Sequence, residues 1–186
     1  LVVGRMSQSE RYKGHDQLID AWPSVVSRVP DAQLVIVGDG DDAPRLKQKA
    51  GGTPCAERIH FLGFVPETVR QALYEQSAGF ALPSGGEGFG LVYLEAMTHG
   101  LPCLGSTQDA ASEIIVDGVT GCLVDQADIA GLSNAVATLL LDEPRRRTMG
   151  KAGETRATTE FSFDRFSARL RALIQAAEGA RGRARG

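Results

Sequence analysis

Gln33-Leu34-Val35-Ile36-Val37-Gly38-Asp39-Gly40 is the stretch that decides the fold. Its apolar residues run without alternation, so a strand built from them is buried on both faces. That pattern belongs to a parallel sheet covered by helices on either side. The run stops at Gly38-Asp39-Gly40, a turn signal. Similar short runs lie at 2–4, 59–62, 79–82, 102–104 and 121–124. Amphipathic stretches fill the gaps. Leu18, Ile19, Trp22, Val25, Val26 and Val29 share one helical face over 15–29, where Pro23 predicts a kink or a break. Further helices are expected over 42–50, 67–76 and 91–98, with a helical turn at 112–116. Ile129, Leu132, Val136, Leu139 and Leu140 form the next stripe. A basic helix follows Pro144, and a last one carries Phe163, Phe166, Leu170, Leu173 and Ile174. Alternation of this kind implies an α/β domain with a Rossmann-like, doubly wound parallel sheet and C-terminal helices. It covers 1–178, and the tail 179–186, rich in Gly and Arg, is expected to be disordered.

The chain has 186 residues, enough to bury a core without disulfides or metals. Cys55, Cys103 and Cys122 are odd in number and widely spaced, which argues against a disulfide framework or a cysteine zinc site and makes a cytoplasmic protein the simplest expectation. The net charge of −3 is split: 145–186 holds 11 Lys/Arg and 4 Asp/Glu, leaving 9 and 19 for 1–144. A body of net −10 excludes nucleic acid as its partner. The first residues, Leu1-Val2-Val3-Gly4, read as the middle of a strand with no signal peptide before it. A fragment of a longer protein is expected, with more chain on the N-terminal side.

Glycine is the unusual entry: 22 residues, against a usual ~7% of a chain. Nine of them, Gly4, Gly14, Gly38, Gly40, Gly63, Gly85, Gly86, Gly88 and Gly90, fall at or near strand ends. In open α/β sheets, ligands bind at the carboxyl ends of the strands. The cluster Ser84-Gly85-Gly86-Glu87-Gly88-Phe89-Gly90 leads straight into a helix, whose free amides and dipole favour an anion such as a phosphate. No Gly-Lys-Ser/Thr follows it, so it is not a Walker loop. Glu87 sits among glycines, where no structural duty explains an acid. Glu95 lies eight residues on, in an apolar helix, where sugar or ribose hydroxyls would suit its carboxylate; a solvated helix edge is the alternative. At the first strand end, Arg5 and Lys13 suggest a diphosphate clamp, with Arg11 a third cation, although a solvated loop has the same spacing. Asp39, Asp41 and Asp42 read as a solvated turn and helix start rather than a metal site.

Val3-Gly4-Arg5 … Lys13-Gly14, the 35–40 segment, Phe61-Leu62-Gly63-Phe64-Val65 and Glu87-Gly88-Phe89-Gly90-Leu91 … Glu95-Ala96-Met97 together resemble glycosyltransferase family 4. The similarity runs in order over nearly the whole chain and matches the C-terminal, donor-binding half of a retaining GT-B enzyme. It implies that Arg5, Lys13 and Glu87 are catalytic, with the two cations stabilising the leaving diphosphate. The amides of Gly88, Phe89, Gly90 and Leu91 would join them on the phosphate and the sugar. Glu95 would bind the ribose. Gly4, Gly38, Gly40 and Val65 would border the donor, largely through backbone. No cofactor and no metal is implied beyond the nucleotide-diphosphate sugar itself. The partners implied are that donor and an N-terminal acceptor domain of the same protein, with peripheral contact at the inner face of the membrane for the full-length enzyme. An epimerase of the same fold and a non-catalytic nucleotide-binding module are the alternatives. Two departures stand out: the Arg5-to-Lys13 loop is longer than in many members, and Asp109-Ala110-Ala111-Ser112-Glu113 replaces a Gly-Gly-x-x-Glu turn.

Overall fold

The computed structural model describes the backbone of residues 1–183 and side chains to 176. Six strands appear in the expected places: β1 (Val2–Val3), β2 (Leu34–Val37), β3 (Ile59–Gly63), β4 (Phe80–Ala81), β5 (Cys103–Ser106) and β6 (Gly121–Val124). Every strand pairing is parallel, in two triplets ordered β1-β2-β3 and β4-β5-β6. Leu1 joins the triplets. Its carbonyl accepts from the Ala81 amide at 2.9 Å, and its amine donates to the Gly79 carbonyl at 3.0 Å. The sheet is therefore continuous, in the order β3-β2-β1-β4-β5-β6. That is the doubly wound order, and it reverses direction between β1 and β4.

The helices are α1 (His15–Arg28), α2 (Ala43–Gly51), α3 (Glu67–Gln76), α4 (Leu91–Thr98), α5 (Ala111–Ile114), α6 (Ile129–Leu141), α7 (Glu143–Glu160) and α8 (Phe163–Arg183). Leu18, Ile19, Trp22 and Val25 of α1 are buried, and α1 packs chiefly on α6. That apolar face explains one difference from expectation. α1 runs through Pro23 without a break, because burying the stripe outweighs the ~3 kcal/mol that an interior proline costs. Asp128 and Asp142 cap α6 and α7 by accepting from the Gly131 and Arg145 amides. α8 continues to Arg183, past Gly179 where composition suggests that order ends; 184–186 lie outside the described residues. Its stripe of Phe163, Phe166, Leu170, Leu173 and Ile174 faces outward. No helix among the described residues is long and apolar enough to cross a membrane.

Two backbone crossings set the carboxyl edge of the sheet. A Cβ on Gly38 (φ 131°) would stand 2.0 Å from the Gly4 carbonyl oxygen. One on Gly14 (φ 82°) would stand 2.3 Å from the Pro83 oxygen. Both glycines are required by the protein's own backbone. His15, next in line, is 4% exposed, and its Nε2 has no partner among the described residues. Burial, and then the Lys13 charge, push its pKa from 6.5 down to about 4.

Gly38→Ala should cost about 2–4 kcal/mol in chemical denaturation. Gly51→Ala, at a helical position with open space around it, should be neutral or gain about 0.5–1 kcal/mol. His15 stays neutral in the fold where the unfolded chain would protonate. Its contribution is full above pH 6.5 and is lost as the pH falls through 6.5 towards 4. The His15 part of the denaturation free energy should drop by about 2 kcal/mol between pH 7 and pH 5, and His15→Leu should remove that part of the slope.

Candidate functional site

At the carboxyl edge, where the strand order reverses, a cleft of about 440 Å³ opens between the loop after β1 and the loop after β4. Its lining includes Gly4, Lys13, Glu87, Gly88, Phe89, Gly90, Leu91 and Glu95. These eight, marked from sequence, are brought together. Arg5, Gly38, Gly40 and Val65 are not part of the lining. Gly38 and Gly40 pack against the carbonyls of Gly4 and Met6, which accounts for their lack of a side chain without any ligand. Val65 is half-buried just beyond β3. A second groove of the same volume lies at the amino edge, lined by Trp22, Leu34, Phe80, Val136 and Leu139. It is mostly apolar, and its Arg146 is bonded to the carbonyls of Leu139 and Leu140.

The glycine loop is pinned at its start and open at its end. The Gly85 amide donates to the Tyr12 carbonyl at 2.8 Å, the Gly86 amide to Ser84 Oγ, and the Glu87 amide to Asp109 Oδ2 at 3.0 Å. Among the described residues, none accepts from the amides of Gly88, Phe89, Gly90 or Leu91. Those four N–H groups precede and open α4, so the helix dipole reinforces them. A Cβ on Gly88 would meet nothing within 4 Å. The protein itself therefore gives no steric reason for glycine there, and the open space leaves this backbone accessible.

Lys13 faces this row. Its Nζ lies 3.7 Å from Glu87 Oε2, with the two side chains 15% and 20% exposed. Arg5 departs from its expected place. It forms a two-pronged pair with Glu10 at 2.5 and 2.7 Å, and its side chain is 69% exposed, outside the cleft. Arg11 turns away altogether to Asp42, which it shares with Arg45. Arg45 first, and then Arg11, hold the buried Asp42 carboxyl down at about 2. Asp41 accepts from the Gln8 amide and Asp39 from the Gly40 amide. The acidic run thus serves loop cations and amides.

Glu95 is partnered more fully than its sequence context suggests. Tyr74 Oη donates to its Oε2 at 3.2 Å, and Arg70 Nη1 lies 3.4 Å from the same oxygen. Its side chain is still 42% exposed, with Oε1 left for a ligand. His99 stacks on Tyr74 at 5.2 Å, which is packing. Sequence reasoning missed Tyr12, Arg70, Tyr74 and Asp109. For α3 a signal existed, since Glu67, Arg70 and Tyr74 recur at i, i+3 and i+7 on one face. Asp109 was marked as a departure, yet it positions the glycine loop.

The fold has counterparts among known proteins. The family model "Glycosyl transferases group 1" matches residues 1–142. A "GDP-mannose-dependent alpha-(1-6)-phosphatidylinositol monomannoside mannosyltransferase" of Mycolicibacterium smegmatis is 35% identical over 97% of this chain and 49% of its own length. The crystal structure of Anabaena Alr3699/HepE in complex with UDP superposes with TM-score 0.81 at 26% identity, over 94% of this chain and 48% of that one. The C-terminal domain of a glycosyl transferase group 1 family protein (LpcC) from Francisella tularensis does so at 0.77 and 26%, over 87% and 86%. The chain spans about half the length of the curated relative and matches the part that the last structure names a C-terminal domain. With its GT-B-type Rossmann half, the chain belongs to the group 1 family of glycosyl transferases.

Proposed function

We propose that this domain binds the nucleotide-diphosphate sugar of a retaining glycosyltransferase and stabilises the diphosphate as it leaves. The observation that carries the reading is the row of open amides at residues 88–91, facing Lys13 across the cleft at the sheet's switch point. Four N–H groups at a helix start and one ammonium form a preorganised receptor for developing negative charge. The β-phosphate would lie between them, and Glu87, now against Lys13, would turn to the sugar hydroxyls. Glu95 Oε1 would accept from the ribose while Tyr74 and Arg70 fix the other oxygen. Arg5 would swing in from its exposed position to the diphosphate. The reading calls on these cations and amides for charge neutralisation and assigns no role to a metal; Asp39, Asp41 and Asp42 have amide and arginine partners instead.

GDP-mannose is the donor to test first, because the relative at 35% identity carries that dependence in its name, whereas the UDP complex is at 26%. The same name supports a phosphatidylinositol-type glycolipid acceptor, and with it peripheral contact at the inner face of the membrane. Acceptor binding belongs to a second domain, in keeping with a relative twice as long as this chain. The related proteins named above are a transferase and sugar-transfer family members, which favours transfer over epimerisation or simple nucleotide binding.

The test is a thermal-shift series with GDP, UDP, ADP and their sugars, since a ligand specific to the fold raises its apparent stability. One nucleoside diphosphate should stand out. Lys13→Ala should weaken it about 10- to 100-fold, the range for a charge-assisted bond. Unchanged affinity in that variant would remove Lys13 from the clamp.

A further inference from the structure

Glu10 has no part in the reading above, yet it holds one of that reading's cations. The loop after β1 forms a 3₁₀ turn over Gln8–Lys13, broken by a kink at Glu10 (φ −121°, ψ 29°). The Glu10 side chain is 14% exposed, and both of its oxygens receive the Arg5 guanidinium. A carboxylate offers Arg the same two-pronged acceptor that a phosphate does. Arg5 beside Glu10 is therefore a cation already satisfied by an anion of matching shape.

The rest of the loop is fastened independently of this pair. The Gln8 amide donates to Asp41 Oδ1, Arg11 to Asp42, and the Asp42 amide to the Met6 carbonyl. The Tyr12 carbonyl accepts from the Gly85 amide and from Gln126 Nε2 at 2.6 Å. Gly14 is wedged on Pro83. Opening the Arg5–Glu10 pair frees the guanidinium and leaves the turn in place, with Glu10 still beside the Lys13 charge and the Tyr12 hydroxyl.

We infer that Glu10 is a positioning residue that parks Arg5 outside the cleft, in a carboxylate pairing which the donor's diphosphate must displace. The inference rests on the proposed donor role of Arg5. It deepens that role by making donor affinity the outcome of an exchange between two anions for one guanidinium. While the pair is closed, the fraction of molecules with Arg5 free is small, and apparent affinity falls by that fraction. The arginine of the pair stands in solvent, where ion pairs are weak, so its removal should matter by about threefold to fivefold.

The experiment is calorimetric titration of the chain with GDP, UDP and the matching nucleosides, using wild type, Glu10→Gln, Arg5→Gln and the double variant. Glu10→Gln should bind the preferred diphosphate about threefold to fivefold more tightly. It should bind the nucleoside unchanged, because the exchange concerns phosphate alone. Arg5→Gln should bind the diphosphate more weakly, and adding Glu10→Gln to it should give no gain. A purely structural Glu10 would weaken binding when removed and would act on the nucleoside as well. Weaker or unchanged diphosphate binding in Glu10→Gln overturns the inference, as does a gain that persists without Arg5. Failure of the wild type to bind any nucleoside diphosphate would instead overturn the donor reading itself. Glu10→Asp, too short to keep both bonds, gives the same comparison if the amide variant is poorly folded.

Discussion

The bond from the Ala81 amide to the Leu1 carbonyl is the contact on which the site depends. Together with the bond from the Leu1 amine to the Gly79 carbonyl, it joins what are otherwise two separate parallel triplets. With it, β1 and β4 lie side by side, and the chain leaves them towards opposite flanks of one sheet. The loops that follow must then face each other across the gap. They meet at Gly14 on Pro83, the Tyr12 carbonyl on the Gly85 amide, the Tyr12 ring on Gly86, and Lys13 on Glu87. The cleft is thus a consequence of strand order, and its two loops are held together beside a glycine that has no room for a side chain.

Electrostatics complete what topology begins. Carboxylates stand beside the cations of the loop after β1 that the reading uses: Glu87 beside Lys13, Glu10 beside Arg5. Lys13 and Glu87 are largely buried and loosely paired at 3.7 Å. Neither is held by a short bond, so an anionic ligand needs to break little to enter. The open amides of residues 88–91 have no internal competitor among the described residues. Lys13 and these amides are in place before a ligand arrives, which spares the cost of ordering them at the moment of binding, whereas Arg5 must first leave Glu10.

The sheet was legible in the sequence because parallel strands are short apolar runs, and Leu34–Val37 states that plainly. So was the glycine loop, because glycine next to a helix start has few other uses. Side-chain pairing was not legible. Arg5, Lys13 and Arg11 share one loop and one charge, but only Lys13 lines the cleft; the others find Glu10 and Asp42. That choice follows from the kink at Glu10 and from the distant start of α2, neither of which spacing encodes. Glycine was ambiguous for a related reason. Gly38 and Gly88 look alike in sequence, yet one is required by a crossing backbone and the other faces open space. At Pro23 the local rule allows a kink or a break, and the break is overridden by the apolar face that α1 buries on α6.

The central claim is that an anionic ligand sits on the amides at the start of α4. Backbone amide NMR of the isotopically labelled chain during titration with GDP or UDP tests it most directly. The account predicts that the largest shifts fall on Gly88, Phe89, Gly90 and Leu91, with smaller ones at Gly4 and Lys13. Saturable shifts centred elsewhere, such as on the amino-edge groove by Trp22 and Leu139, or none up to millimolar nucleotide, would contradict it.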